Sequence, residues 1–297
     1  MHMWRRDFVG YGSRPPKVEW PDGKRLALQI AINYEAAGER NVLFGDKGPE
    51  IFGGEIPGYG PITDRDLSME TVFEYESRVA IWRILDLFDR HNIKTTFFAV
   101  AKSLEANPEA ARAIVDRGHE ICSHGYRWME HFRLTRKQEV EEIRRGVALT
   151  KKITGQRPLG WYCREPSART VELVAEEGGF LYDADLCNDD LPYYVKVKNG
   201  KFLIVPYTLD ANDFHFLLNR FSNSEVFFQY LKDSLDYMRQ EAKVNGKMMS
   251  VGIHVRVSGR PGRTVALDRF LKYAKQFDDV WIARRVDIAK WWLKNFR

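Results

Sequence analysis

An α/β fold, an irregular (β/α) barrel of about seven strands, is what this 297-residue chain predicts. Three observations carry that expectation. Short apolar runs alternate with amphipathic helical stretches, as in a parallel sheet covered by helices. The alternation continues without a composition break that would mark a second domain, so residues 1–297 read as one catalytic domain. No phosphate-cradling G-x-G-x-x-G follows the first strand, which argues against an open, doubly wound sheet.

Each element has a local reason. Residues 1–25, punctuated by Gly10, Gly12, Pro15, Pro16, Pro21 and Gly23, form an extended arm. Residues 26–32 are a buried strand. Residues 36–66 are rich in Gly and Pro and form one long active-site loop, a length that marks function in a compact domain. Val72, Tyr75, Val79, Trp82 and Leu85 make the apolar stripe of a helix over about 69–90. Residues 95–100 are a strand, and Asn107-Pro108 starts the next helix. Residues 119–122 are a strand, after which Thr135-x-x-Gln138 opens a helix as a capping box. A strand at 159–162 precedes a helix that stops at Gly178-Gly179. Short strands follow at 180–182 and 202–206, and Ser222-x-x-Glu225 boxes a helix to about residue 242. A strand at 248–253, a helix at 264–276, a strand at 280–283 and a helix at 286–295 complete the chain.

Composition narrows the function. Apolar residues are 44% of the chain, enough for a sizeable core. No run approaches the roughly 18 apolar residues of a membrane helix, so no membrane partner is expected. The first residues lack the apolar centre of a secretory signal. Cys122, Cys163 and Cys187 have no CxxC spacing and suggest neither disulfides nor a zinc knuckle, so a cytoplasmic setting is expected. The net charge is +5, but Glu139, Glu141 and Glu142 precede Arg144 and Arg145, the mixture of a solvated helix face. Without a basic stripe bearing stacking aromatics, no nucleic-acid partner is expected, and a small-molecule substrate is.

In such barrels, catalytic groups project from the C-terminal strand ends. Those ends carry Asn33-Tyr34-Glu35, Ser123-His124, Tyr162-Cys163-Arg164-Glu165, Asp183 and Asp185. Later ends carry Thr208, Asp210, Asn212 and Asp213, then His254 with Arg256. Acid, imidazole and guanidinium groups converging on one face predict an enzyme. His254 suits the acid that protonates a departing nitrogen, because imidazole titrates near neutrality. Arg164, Arg256 and Arg260 are candidates for anchoring carbonyls. Cys163 reads as a buried, inert thiol.

These residues resemble the motifs of the polysaccharide deacetylase (NodB-homology) superfamily. Its Thr-Phe-Asp-Asp corresponds to Asn33-Tyr34-Glu35-Ala36, and its His-Ser/Thr-x-x-His to His124-Gly125-Tyr126-Arg127-Trp128. Its Arg-Pro-Pro-Tyr loop corresponds to Arg164-Glu165-Pro166-Ser167, and its Leu-x-His to Gly252-Ile253-His254. The chain is most similar to the metal-independent, PuuE-type allantoinase branch. That likeness runs through Asp7-Phe8-Val9-Gly10-Tyr11-Gly12, Ser123-His124-Gly125 and Gly160-Trp161-Tyr162. It continues through Asn188 to Tyr193, Pro206 to Asp210 and Gly259 to Arg263.

The resemblance implies a NodB-type barrel with Glu35 as general base, His124 positioning water or substrate, and His254 as acid. It implies that Tyr34, Trp128, Tyr162, Arg164, Glu165, Asp210, Arg256 and Arg260 bind substrate. Two of the three metal-ligand positions are Ala36 and Trp128, so no cofactor is expected to be required; zinc held through Glu35, His124 and Glu39 stays open. General acid–base help supplies roughly 10²- to 10⁴-fold, which suits an activated ring carbonyl better than an acetamido group. Opening of a cyclic ureide, allantoin to allantoate, is therefore the first expectation. A cyclic imide comes second and metal-dependent deacetylation of an N-acetyl sugar third. The likeness also suggests a homo-oligomer, a tetramer, contacting through the arm and the 36–66 loop.

Overall fold

Leu26–Tyr34 (β1) is buried along its whole length and organises everything around it. The computed structural model describes residues 6–55 and 63–296. The other strands are Thr96–Ala99 (β2), Glu120–Ser123 (β3), Gly160–Trp161 (β4), Tyr182–Asp183 (β5), Tyr193–Val197 (β6), Gly200–Ile204 (β7), Lys247–His254 (β8) and Val280–Ile282 (β9). They form one curled sheet in the order β6-β7-β5-β4-β3-β2-β1-β8. Its pairs are parallel except the β6–β7 hairpin. One edge of β1 carries β8. The other is shared, with β9 along its first residues and β2 along its last.

The segment after β7 closes the curl. Tyr207 N donates to Leu186 O at 3.0 Å, and Asn212 bridges Gly252 of β8 in parallel. The α/β barrel expected from the sequence is therefore present, with irregular closure. The hairpin strand β6 was not anticipated, because its residues are mostly half-buried and show no continuous apolar run.

Register decides what meets at the top. Asn33 lies beside His254, Tyr34 beside Ala99, and Ala99 beside Ser123. Glu35, His124 and His254 therefore end their strands at nearly one level. Side chains alternate along a strand. In β1, Leu26, Leu28, Ile30, Ile32 and Tyr34 join the core cluster that also holds Ile81, Ile84, Leu85 and Phe88 from the covering helix. Ala27 and Ala31 point the other way, among Phe98, Tyr182 and Tyr207, and Asn33 and Glu35 share their phase.

The helix expected over 69–90 is three consecutive pieces: Leu67–Tyr75, a π turn at Glu76–Ala80, and Ile81–His91. The Thr135 capping box forms as read from the sequence. The box expected at Ser222 does not; Asn223 caps that helix instead, accepting from Glu225 N and Val226 N. The helix expected from 264 begins earlier, at Pro261, where a missing N–H costs nothing. Among the described residues no helix is long and apolar enough to cross a membrane.

Candidate active site

Glu35 stands one residue beyond β1, and its two oxygens face different partners. Oε1 lies 3.1 Å from His124 Nε2, and Oε2 is bound by Arg256 Nη1. A second acid supports this pair. Glu76, on the π turn, accepts Glu35 N at 2.5 Å and Ala36 N at 3.4 Å through Oε1. Its Oε2 lies 3.4 Å from Arg256 Nη1. The extra residue of a π turn re-aims a side chain, a device common at functional sites.

His254 ends β8. Its Nδ1 is 2.8 Å from Asp213 Oδ1, while Asp213 Oδ2 accepts His254 N at 2.8 Å and Ser258 N at 3.2 Å. The other ring nitrogen, Nε2, is 3.9 Å from Glu35 Oε1. Asp213 thereby fixes an imidazole whose free nitrogen looks toward the carboxylate. Glu35 and His124 are each 1% exposed, so the reacting groups work in a dry environment.

Burial alone would raise Glu35, but Arg256, then His254 and His124, hold its carboxyl well below the usual range. Burial pushes Glu76 up to about 8 against the pull of Arg256, and the Glu35 charge adds to the rise. One guanidinium thus serves two neighbouring acids, and their mutual repulsion makes Glu76 the readier of the two to hold a proton. Burial lowers His124, which is neutral. Because the Glu35 carboxylate can only accept, the His124 proton sits on Nε2. Nδ1 is then a bare acceptor without a partner among the described residues. His124 can therefore take an N–H from a ligand, but cannot donate to a carbonyl oxygen.

Aromatic rings enclose the guanidinium. Arg256 lies 4.7 Å from the Phe73 ring centre, 5.0 Å from Trp128 and 5.7 Å from Phe214. Its Nε donates to Gly53 O at 2.8 Å, which draws the 36–55 loop over the site. Trp128 also takes Arg164 over its ring at 3.8 Å, with Arg164 tied to Glu50 at 2.8 Å. Tyr162 meets the His124 ring edge-on at 4.8 Å.

Of the expected site residues, the fold thus gathers Glu35, His124, His254, Trp128, Tyr162, Arg164 and Arg256. Others fall outside. Tyr34 points into the outer core and bonds Ser77 Oγ, because it alternates with Glu35. Asp210 is exposed and accepts from Tyr230 OH. Arg260 lies over the Tyr75 ring with Glu55 as its nearest acid. Glu165 is exposed at φ +51°, its carbonyl accepting Phe132 N. Arg256 does not await a substrate carbonyl with its whole fork, since Nη1 is committed to the two acids. Burial raises the Cys163 thiol far above its ordinary value, with Asp185 adding to the rise, as befits an inert group. Sequence reasoning missed Glu76. Its one signal was a charge four residues after Val72, on the apolar face of the helix.

The residues do not fit a divalent metal. Ala36 and Trp128 offer no ligand atoms, and the described residues contain no group of three or more His, Cys, Asp or Glu that could hold an ion. Arg256 already sits on Glu35, so an added cation would meet a like charge at contact range.

The family described as polysaccharide deacetylase matches residues 65–177. A Schizosaccharomyces pombe protein named as a candidate polysaccharide deacetylase is 34% identical, across 97% of this chain and 96% of its own length. The chain belongs to the polysaccharide deacetylase family. Like its relatives, it is a hydrolase acting on carbon–nitrogen bonds other than peptide bonds. A probable polysaccharide deacetylase from Pseudomonas aeruginosa PAO1 is 47% identical, with a TM-score of 0.96 over 99% of both chains. The PuuE allantoinase structure is 46% identical, with a TM-score of 0.94 over 99% of this chain and 98% of that one. The PuuE-type resemblance therefore extends to fold and sequence together.

Proposed function

We propose that this family member opens a cyclic ureide, allantoin to allantoate, by side-chain acid–base catalysis without a required metal. One observation carries the reading: Arg256 is bonded to Glu35 at the place where Ala36 and Trp128 replace metal ligands. The similarity to a PuuE allantoinase supports the choice of ring.

The 3.9 Å gap between Glu35 Oε1 and His254 Nε2 can be spanned by one water oxygen. Glu35, held ionised, accepts one water O–H and orients the nucleophile; its lowered pKa makes it a weak proton acceptor. His254 Nε2 accepts the other proton as water attacks, with Nδ1–H kept on Asp213. The imidazolium then protonates the departing ring nitrogen. The base role expected of Glu35 thus moves largely to His254, with Glu35 steering.

A cyclic imide is the second substrate class on the same chemistry. Deacetylation of an N-acetyl sugar ranks third, because the reacting groups are buried and Trp128 fills a ligand position. The test measures turnover of allantoin, hydantoin, succinimide and an N-acetylated oligosaccharide, each with and without chelator. Ring opening that survives chelation is expected. Zinc-dependent release of acetate, with no ring opened, would overturn the reading.

The same proposal has the enzyme working in the cytoplasm, which its three unpaired cysteines support. It also takes the enzyme to be a homo-oligomer, a tetramer, supported by Phe8 and Val9 at 81% and 77% exposure on the arm. Light scattering on the purified protein would give a monomer mass if that is wrong.

A further inference from the structure

Two charged groups buried beside the reacting cluster have bonding capacity that no described residue meets. Arg256 spends Nη1 on Glu35 and Glu76 and Nε on Gly53 O, leaving Nη2 without a partner. Glu39, 5% exposed, has no partner for Oε2. Its backbone is well anchored. Gly38 N donates to Glu35 O and Trp128 N to Gly38 O, each at 2.9 Å, and Arg127 Nη2 donates to Glu39 O at 2.6 Å. Glu39 therefore stays on the turn just past β1, next to Gly38, which is bonded to Trp128, whose ring Arg256 meets at 5.0 Å.

Buried polar atoms are nearly always paired, and unpaired ones beside reacting groups are contacts a bound ligand can make. Here the unpaired atoms are a guanidinium donor and a carboxyl acceptor. Their complement is a carbonyl oxygen beside an N–H. In a five-membered ring the amide is held cis, so its C=O and N–H form one edge. An acyclic secondary amide, such as an acetamido group, is trans and turns them to opposite sides.

We infer that Glu39 is a substrate-recognition residue that accepts a ring N–H, while Arg256 Nη2 donates to the neighbouring carbonyl oxygen. This rests on the ring-opening reading above and adds a specificity determinant to it. Burial lifts the Glu39 carboxyl to about 7, with Arg256 pulling the other way. In either protonation state an oxygen remains to accept the N–H.

The test compares wild type, Glu39→Ala and Glu39→Gln on allantoin and hydantoin, with thermal melts to establish folding. Glu39→Ala is expected to raise KM about tenfold while kcat changes by less than about threefold, and Glu39→Gln, which keeps an acceptor, to stay within about threefold of wild-type KM. An unchanged KM in a folded Glu39→Ala enzyme that still opens rings removes this inference alone. If Glu39→Ala does not fold, hydantoin and its 1-methyl and 3-methyl derivatives on wild type decide the matter. Loss of binding to one methylated ring supports the contact, and equal KM for all three overturns it. A wild type that opens no ring overturns the functional reading, and this inference with it.

Discussion

At the scale of single residues, the identity of one atom on Asp213 decides whether His254 can accept a proton. Asp213 Oδ2 is held by two backbone N–H groups, so only Oδ1 is available to the imidazole. In Asp213→Asn the amide oxygen would keep those two backbone bonds, turning Nδ2 toward His254. An N–H facing Nδ1 forces the ring proton onto Nε2, the wrong tautomer for accepting from water. The expected outcome is a kcat loss of about 10²-fold or more, with KM and melting temperature little changed. Steady-state kinetics with a melt on the same sample would check it. Unchanged kcat would return the base role to Glu35.

At the scale of an element, the π turn Glu76–Ala80 is the least regular piece of the covering helix and the one that reaches the site. Glu76 ties that helix to the end of β1 by accepting Glu35 N and Ala36 N, and it shares Arg256 with Glu35. Glu76→Ala would leave buried N–H groups unpaired and is expected to cost about 2–3 kcal/mol. Glu76→Gln keeps a carbonyl oxygen for both and should recover most of that stability, as urea denaturation would measure. Equal stability of the two variants would mean the turn is held by its apolar contacts instead. The amphipathic stripe made this helix legible from sequence. The π turn was not, because it follows from fitting one stripe against both β1 and the Gly259 turn, where a Cβ on Gly259 would come within 2.5 Å of Ala80 Cβ.

At the scale of the whole molecule, a buried histidine far from the chemistry couples stability to pH. His119 is 4% exposed and its Nδ1 accepts Thr95 N at 3.1 Å. Burial, reinforced by Lys94, lowers it to about 4. Between about 4 and the ordinary 6.5, the unfolded chain binds the proton and the folded chain does not, so stability rises with pH. The His119 contribution is present above 6.5 and fades as pH falls toward 4, by about 3 kcal/mol in all. His119→Asn keeps an acceptor for Thr95 N and cannot titrate. The stability difference between wild type and variant should therefore shrink on acidification, and a constant difference from pH 7 to 4 would contradict this.

Legible in the sequence were the α/β class and the strand-end positions of Glu35, His124 and His254; likeness to the deacetylase motifs added that Ala36 and Trp128 stand at ligand positions. Those facts are local: apolar periodicity marks strands, and a missing ligand atom is visible in one letter. The neighbours of these groups follow from how distant segments come together. Glu76 and Arg256 lie 41 and 221 positions from Glu35 in the chain, yet both reach it. Tyr34 and Glu35 are adjacent in sequence and point to opposite faces, because side chains alternate along β1. Parallel register, crossing at Asn33 and His254, sets those meetings, and register depends on packing across the whole sheet rather than on any one segment.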